Sequence, residues 1–165
     1  MDARWADSTG AVLNQSPPFA GVDLFASDPG LVVLTEALPR SAIDQLQAHG
    51  IATGSRESFE LGRLANTYTP ILRSHDPNGQ RIDTVEFNPA WHALMRRSIG
   101  AGLHASIWDA PEAEAGSRHV GRAAMLYMTV QAECGHVCPM TMTSAAMAAL
   151  SHAPDLARAW APRIR

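Results

Sequence analysis

Apolar positions along the chain change their spacing several times, and each change marks an element. Residues 1–26 keep no sustained period. "NQSPPF" places Pro17 and Pro18 where no helix can form, and Ser16 is pushed toward extended geometry. Val12, Leu13, Phe19, Leu24 and Phe25 can still pin this arm onto a core. A helical pattern then starts at Asp28, with Pro29 in its first position, and runs to Leu38, where Pro39 stops it. Ser41 is placed to cap a short second helix through His49, ended by Gly50. Ser55 or Ser58 caps a third, "SRESFELGRLAN".

"SHDPNGQRIDTVEF" breaks the helical period. Asp76-Pro77-Asn78-Gly79 has turn chemistry, and Val85 and Phe87 alternate with Thr84 and Glu86 as in a short strand. The acids superficially suggest a calcium loop, but their spacing is wrong and the closing glutamate is missing. Asn88 and Pro89 open a further helix, whose core stripe is expected to be Trp91, Leu94, Met95, Ile99 and Leu103. "DAPEAEAGS" is an acidic loop.

From Ser117 the pattern is strongest. Val120 to Val130 is apolar nearly all round apart from Arg122, which predicts burial on several sides. Gly135 ends this helix. Pro139 opens another, "PMTMTSAAMAAL", again apolar on most faces, and Pro154 opens the last. The expected architecture is mainly all-α: a bundle or orthogonal array of about six helices with a short hairpin-like insertion. An extended N-terminal arm, 1–26, precedes a helical domain, 27–165.

Composition narrows the classes. The 165 residues are 46% hydrophobic and 18% charged, a globular balance. All 13 basic residues are arginine, and the formal net charge is −3, so no overall positive field favours nucleic acid. No apolar run approaches the ~18–20 residues of a membrane span. "MDARWADSTG" lacks the apolar centre of a signal peptide, so the expected setting is cytoplasmic.

Both cysteines fall in "CGHVCP", Cys134 and Cys138, flanking His136. Three readings compete. A structural zinc wants four ligands, and no second cysteine pair exists, although His119 or His152 could add one. A redox pair would rather be C-x-x-C in a βαβ setting. The third reading makes both thiols small hydrophobes near a buried joint between helices. His92 follows Trp91 early in a helix, either as a general base or as a solvent-facing histidine. Met125, Met128, Met140, Met142 and Met147 are dense enough to fill a core or to form a deformable wall around an apolar ligand. Thr141 and Thr143 lie near a helix start, where hydroxyls and free N–H groups suit an anion or a polar cofactor edge. No phosphate loop, G-x-G-x-x-G, H-E-x-x-H or G-x-S-x-G is present.

Three stretches together point to a family. Residues 60–95 carry LGRLAN, Leu61 to Asn66, followed by D-x-x-G-x-R-x-D-x-V-x-F-x-PAWH. That second pattern is met by Asp76, Gly79, Arg81, Asp83, Val85, Phe87 and Pro89 to His92. Residues 131–143 read Q-x-E-x-G-x-x-C-P-x-T-M-T, and "VLNQSPPF" lies near the start. In order and spacing these resemble the N-terminal helical domain of the AidB-like flavoproteins, the alkylation-response branch of the acyl-CoA dehydrogenase superfamily. Cys138 belongs to the pattern. Cys134 departs from it, which weighs against a joint metal or redox role for the pair.

The resemblance implies a larger parent with a middle β domain and a C-terminal helical domain, FAD between those two, and assembly as a homo-oligomer, a tetramer. It implies that the flavin-binding segment and the catalytic base lie outside these residues, so no FAD is expected on this chain alone and no catalytic residue is assigned in it. DNA contact would belong to the C-terminal part, and an acyl-CoA-like molecule is the ligand class. The helix Pro139–Leu150 would line the acyl and flavin cavity, with Thr141, Met142, Thr143 and Met147 as its lining. The rival readings are a stand-alone helical interaction module and a small Cys/His metal-binding protein.

Overall fold

The computed structural model describes residues 14–109 and 115–164. Seven α-helices and one two-stranded hairpin are present among them: α1 Pro29–Thr35, α2 Arg40–Thr53, α3 Arg56–Thr67, β1 Ile71–His75, β2 Arg81–Glu86, α4 Pro89–Gly100, α5 Ala115–Ala132, α6 Val137–Leu150 and α7 Pro154–Ile164. A 3₁₀ turn, Ser106–Trp108, lies between α4 and α5. The mainly all-α class expected from the sequence is the one found. Val12 and Leu13 of the arm fall outside the described residues.

Local chemistry explains most helix starts. Asp28 caps α1 by accepting from Leu31 N, Ser55 caps α3 by accepting from Ser58 N, and Asn88 caps α4 by accepting from Ala90 N. Several helix boundaries depart from expectation. Helix α1 ends at Thr35, not Leu38, and α2 starts at Arg40 behind Pro39 rather than behind a Ser41 cap. Helices α5 and α6 each begin two residues earlier than expected, at Ala115 and Val137.

Gly50 does not end α2, which continues to Thr53. Its lack of a side chain serves packing instead. A Cβ there would lie 2.7 Å from Phe25 N and 2.8 Å from Phe25 Cβ. At Gly54 the collision would be worse, 2.0 Å from Val22 O. These two glycines let the segment before α1 lie flat on α2. Leu24 N donates to Gly50 O, while Gly21 N and Val22 N both donate to Gly54 O. Leu24 and Phe25 thereby enter the main core with Leu31, Leu38, Leu46, Ala124 and Met128.

Helix α5 is the hub. It packs against α1, α2, α3 and α6, while α3 pairs with α4 and α6 with α7. The buried face of α4 is Ala90, Leu94 and Ser98; of the expected stripe Leu94 is buried, Trp91 and Met95 are partly buried, Ile99 is exposed, and Leu103 is buried only after the helix has ended. Gly102, at φ +73°, makes the turn that brings Leu103 inward, and Leu103 N donates to Ser98 O.

The hairpin pairs antiparallel, with Leu72 opposite Val85 and Arg73 opposite Thr84, and all its strand residues are exposed. Asp76 closes its turn by accepting from Asn78 N and Gln80 N at 2.8 and 2.9 Å. That is an ordinary Asx turn, and the carboxylate is spent on backbone.

Candidate functional site at the joint of α5 and α6

The apolar α5 ends in one acid, Glu133, and the turn that follows is built on it. Glu133 Oε1 accepts from Gly135 N at 2.6 Å, and Oε2 accepts from His136 N at 2.9 Å. His136 Nδ1 lies 2.6 Å from Oε2, and Asn66 Nδ2 reaches Oε1 at 3.3 Å from α3. His136 Nε2 is 2.8 Å from Ser98 Oγ on α4. Glu133, His136 and Ser98 are all buried. A carboxylate can only accept, so Nδ1 carries the proton toward Glu133, while Nε2 and the Ser98 hydroxyl share the second hydrogen bond.

This network joins two of the motifs read from the sequence. Gly62, in LGRLAN, lies where a Cβ would stand 2.5 Å from Ala132 O, so α3 approaches the end of α5 closely. One turn on, Asn66 then reaches Glu133. Gly135 is equally constrained, since its Cβ would meet Glu133 Oε1 at 2.8 Å. Burial pushes the Glu133 pKa up, but the N–H groups of His136, Gly135 and Asn66 outweigh it and hold the carboxyl below its ordinary range.

The geometry separates His136 from the cysteines. Both ring nitrogens are engaged inside the protein, so neither faces a thiol. Cys134 and Cys138 are free and exposed, which corrects the expectation that both pack as small hydrophobes. The turn puts Cys134 just past α5 and Cys138 on the outer side of the first turn of α6, while His136 takes the inner place. Among the described residues no group of three or more His, Cys, Asp or Glu side chains could hold a metal ion. His92 is exposed, its ring edge-on to Phe87 and Trp91.

Helix α6 presents two unlike faces. Val137, Met140, Ser144 and Met147 are buried, and Trp108 Nε1 donates to Ser144 O at 3.1 Å. Thr141 and Met142 are exposed, Met142 by 67%, and Thr143 is partly buried. Of the four residues expected to line a cavity, three therefore stand together near the helix start, and Met147 lies on the inner face. The methionines divide likewise: Met128, Met140 and Met147 are core, Met125 borders the core, and Met142 is outside. Sequence reasoning missed Glu133 and Ser98. The signal for Glu133 was present, as the one acid at the end of an otherwise apolar helix, two residues before a glycine. Ser98 had none.

Helix α5 is not covered all round either. Val120, Tyr127 and Val130 form an exposed side of α5, so the burial expected of this helix is only partly supplied by this chain. Beside it, α1 exposes Val33 and Leu34, and an apolar groove of about 540 Å³ runs between α1 and α5 past Leu31, Leu34, Val120 and Tyr127.

Comparison with known proteins identifies the family. The model of the adaptive response protein AidB N-terminal domain matches residues 14–165. The putative acyl-CoA dehydrogenase AidB of Escherichia coli (strain K12) is 40% identical over 142 residues, covering 84% of this chain and 25% of that protein. In structure, Caenorhabditis elegans ACDH-11 in complex with C11-CoA superposes with a TM-score of 0.68 at 25% identity, over 88% of this chain and 25% of that one. Bd2924 in its apo form gives 0.69 at 26% identity, over 83% and 28%. The chain thus spans about a quarter of the length of these relatives. With the family model matched along almost its whole length, the chain belongs to the AidB N-terminal domain family, within proteins of the acyl-CoA dehydrogenase type.

Proposed function

We propose that this chain is the N-terminal helical part of an AidB-like flavoprotein, where it walls one side of the acyl and flavin cavity and helps assemble the oligomer. The observation that carries this reading is the mismatch between sequence and burial on α5 and α6. Both helices are apolar nearly all round, yet in this chain each keeps an open apolar side. Helices of that composition are covered when folded. The Escherichia coli relative is more than three times as long, so the remaining β and C-terminal helical domains are the natural cover.

The outer face at the start of α6 suits the wall of such a cavity. Thr141 offers a hydroxyl on the exposed side of the second turn of α6, and Thr143 a partly buried one. Met142 offers a deformable apolar surface for an acyl chain. The Glu133–His136–Ser98 network fixes the joint, and with it the direction of α6. Trp108 holds the helix one turn further on. When bound, FAD would supply the hydride acceptor. The residues here would exclude water and position the substrate, while the base would come from the C-terminal domain. DNA binding in the alkylation response would fall to that domain as well.

The test compares the isolated chain with the full-length flavoprotein. Met142→Asp in the full-length protein should weaken binding of an acyl-CoA by roughly tenfold or more, since it desolvates a charge against an apolar ligand. The same change in the 165-residue chain should leave its melting temperature unchanged. The isolated chain should take up no stoichiometric flavin. Flavin bound one to one by this chain, or full acyl-CoA affinity in the variant, would refute the reading.

A further inference from the structure

His49 and His136 are far apart in the chain, yet both line one small cavity between α2, α3, α4 and α5. Its volume is about 30 Å³. Thr53 joins His49 from α2, Ser58 comes from α3, Arg97 and Ser98 from α4, and Thr129 from α5, while Leu94 and Ala132 add carbon. Cavities that stay dry are apolar, and the lining here is mostly polar.

Two hydrogen-bond networks end at this cavity. One runs through His49, whose Nε2 lies 2.9 Å from Thr129 Oγ1 and 3.3 Å from Thr53 Oγ1. Thr129 Oγ1 also donates to Met125 O at 2.8 Å. The other is the Glu133–His136–Ser98 network. Among the described residues no direct hydrogen bond joins the two. Arg97 ties α4 to α3 beside them: Nη1 donates to Ser58 Oγ at 2.8 Å and Nη2 to Glu57 Oε1 at 2.6 Å. Ser58 Oγ in turn donates to Ala52 O.

The hydroxyls facing the cavity are not all spent. Thr53 Oγ1 and Ser98 Oγ each make one hydrogen bond among the described residues, and Thr129 Oγ1 keeps an unused lone pair. Thr129 and Ser98 are buried, and buried oxygens of this kind are ordinarily met by protein or by ordered water. The charged groups around the cavity are few. Arg97 is held by Glu57 from α3, and Glu133 at the end of α5 holds Nδ1 of His136. Burial keeps the His49 pKa below its ordinary value, with a hydrogen bond to the Met125 carbonyl opposing it.

A cavity of this size and polarity has room for water and partners to hold it. We infer that it binds one or two water molecules, which bridge the hydroxyls of Thr53 and Thr129 to that of Ser98 and so join the two histidines into one hydrogen-bonded unit. Water and hydroxyl groups can each exchange the donor role for the acceptor role. A proton gained at one imidazole is therefore passed along the bridge as a reversal of its hydrogen bonds, and the two rings titrate as a coupled pair. The site is separate from the cavity proposed at α6 and does not depend on it.

Two measurements on the 165-residue chain test this. A crystal structure at atomic resolution should show ordered water within about 3.2 Å of Ser98 Oγ, connected to Thr53 Oγ1 or Thr129 Oγ1. Histidine ¹⁵N resonances followed against pH then read the coupling. Ser98→Ala removes the bridging hydroxyl and keeps both imidazoles, so the field that each ring feels from the other is retained. It should change the proton affinity of His49 by roughly twofold or more, as expected for loss of a water-mediated hydrogen bond. Ser151→Ala at the exposed end of α6 should leave that affinity unchanged. A dry cavity, water that reaches only one of the two networks, or a His49 titration unmoved by Ser98→Ala overturns the inference. Should Ser98→Ala fail to fold, Thr53→Val read at His136 makes the same test from the other side.

Discussion

His136 Nδ1 lies 2.6 Å from Glu133 Oε2, and this contact turns the end of one helix into the beginning of the next. Glu133 takes its donors from the turn itself and from α3, while the far side of the imidazole takes Ser98 from α4. Four segments are thereby set against one another around a buried carboxylate and imidazole. The arrangement has the order of atoms of a hydrolytic triad, but Ser98 is 3% exposed and His136 1%, so its use is structural.

Glu133→Gln should therefore be among the more damaging single changes. The amide nitrogen would replace one accepting oxygen and confront donors that had been satisfied, at a cost of about 2–4 kcal/mol. The effect should depend on pH. The folded pKa of Glu133 lies below its ordinary value of 4.5, so its stabilisation is complete above that value and fades as pH falls through the folded one. Urea unfolding should show wild type well ahead of the variant at pH 7, with the gap narrowing toward pH 3.5.

Ser98→Ala removes only the outer member of the network. His136 Nε2 would lose its partner inside the protein, and the loss should be milder, about 1 kcal/mol. Because both residues act on one imidazole, the double change with Glu133→Gln should cost less than the sum of the single ones. Additive losses in denaturant unfolding would show that the two bonds are not coupled.

His49 introduces a second pH dependence. Burial holds its pKa below the ordinary 6.5, and its Nε2 meets Thr129 Oγ1 at 2.9 Å. The unfolded chain thus binds a proton at a higher pH than the folded one does. Stability on this account is full above pH 6.5 and declines as pH falls through the folded value. Between pH 7.5 and 5.5 the unfolding midpoint of wild type should drop, and His49→Gln, which cannot titrate, should drop less.

Glycines separate packing from conformation. Gly54 has φ −74°, open to any residue, but its Cβ would stand 2.0 Å from Val22 O. Gly54→Ala should then destabilise by about 2 kcal/mol or more through overpacking alone. Gly121, inside α5, has nothing within 4 Å of its Cβ position, and Gly121→Ala should gain about 0.5–1 kcal/mol from helix propensity. Thermal unfolding of the two variants should move in opposite directions.

Much of this fold was legible where chemistry is local. Asp28, Ser55 and Asn88 cap the helices they were expected to cap, and the Asp76–Gly79 turn lies where its residues require it. Features set by distant partners were not legible. Gly50 resembles a helix end in one dimension, and only the approach of Phe25 shows that it is a contact point. Ser98 looks like a surface residue until His136 arrives from 38 positions away. The cysteines drew attention through their type, although burial went to the histidine between them. The apolar outer sides of α5 and α6 were read as core because sequence reports the need for cover without saying which chain provides it.

That distinction gives a final contrast on α6. Met147 is 7% exposed and Met142 67%, although both are methionines of the same helix. Met147→Ala in the isolated chain should cost about 2–4 kcal/mol, the range for truncating a core side chain. Met142→Ala should stay within about 0.5 kcal/mol, as for a surface change. If Met142 faces a ligand cavity in the full-length protein, the order should reverse for acyl-CoA binding measured there. Met142→Ala would weaken binding with folding intact, while Met147→Ala would lower stability and leave the affinity of the folded fraction near that of wild type. A Met142→Ala protein with unaltered acyl-CoA affinity would place the cavity wall elsewhere and leave the open face of α6 to domain docking.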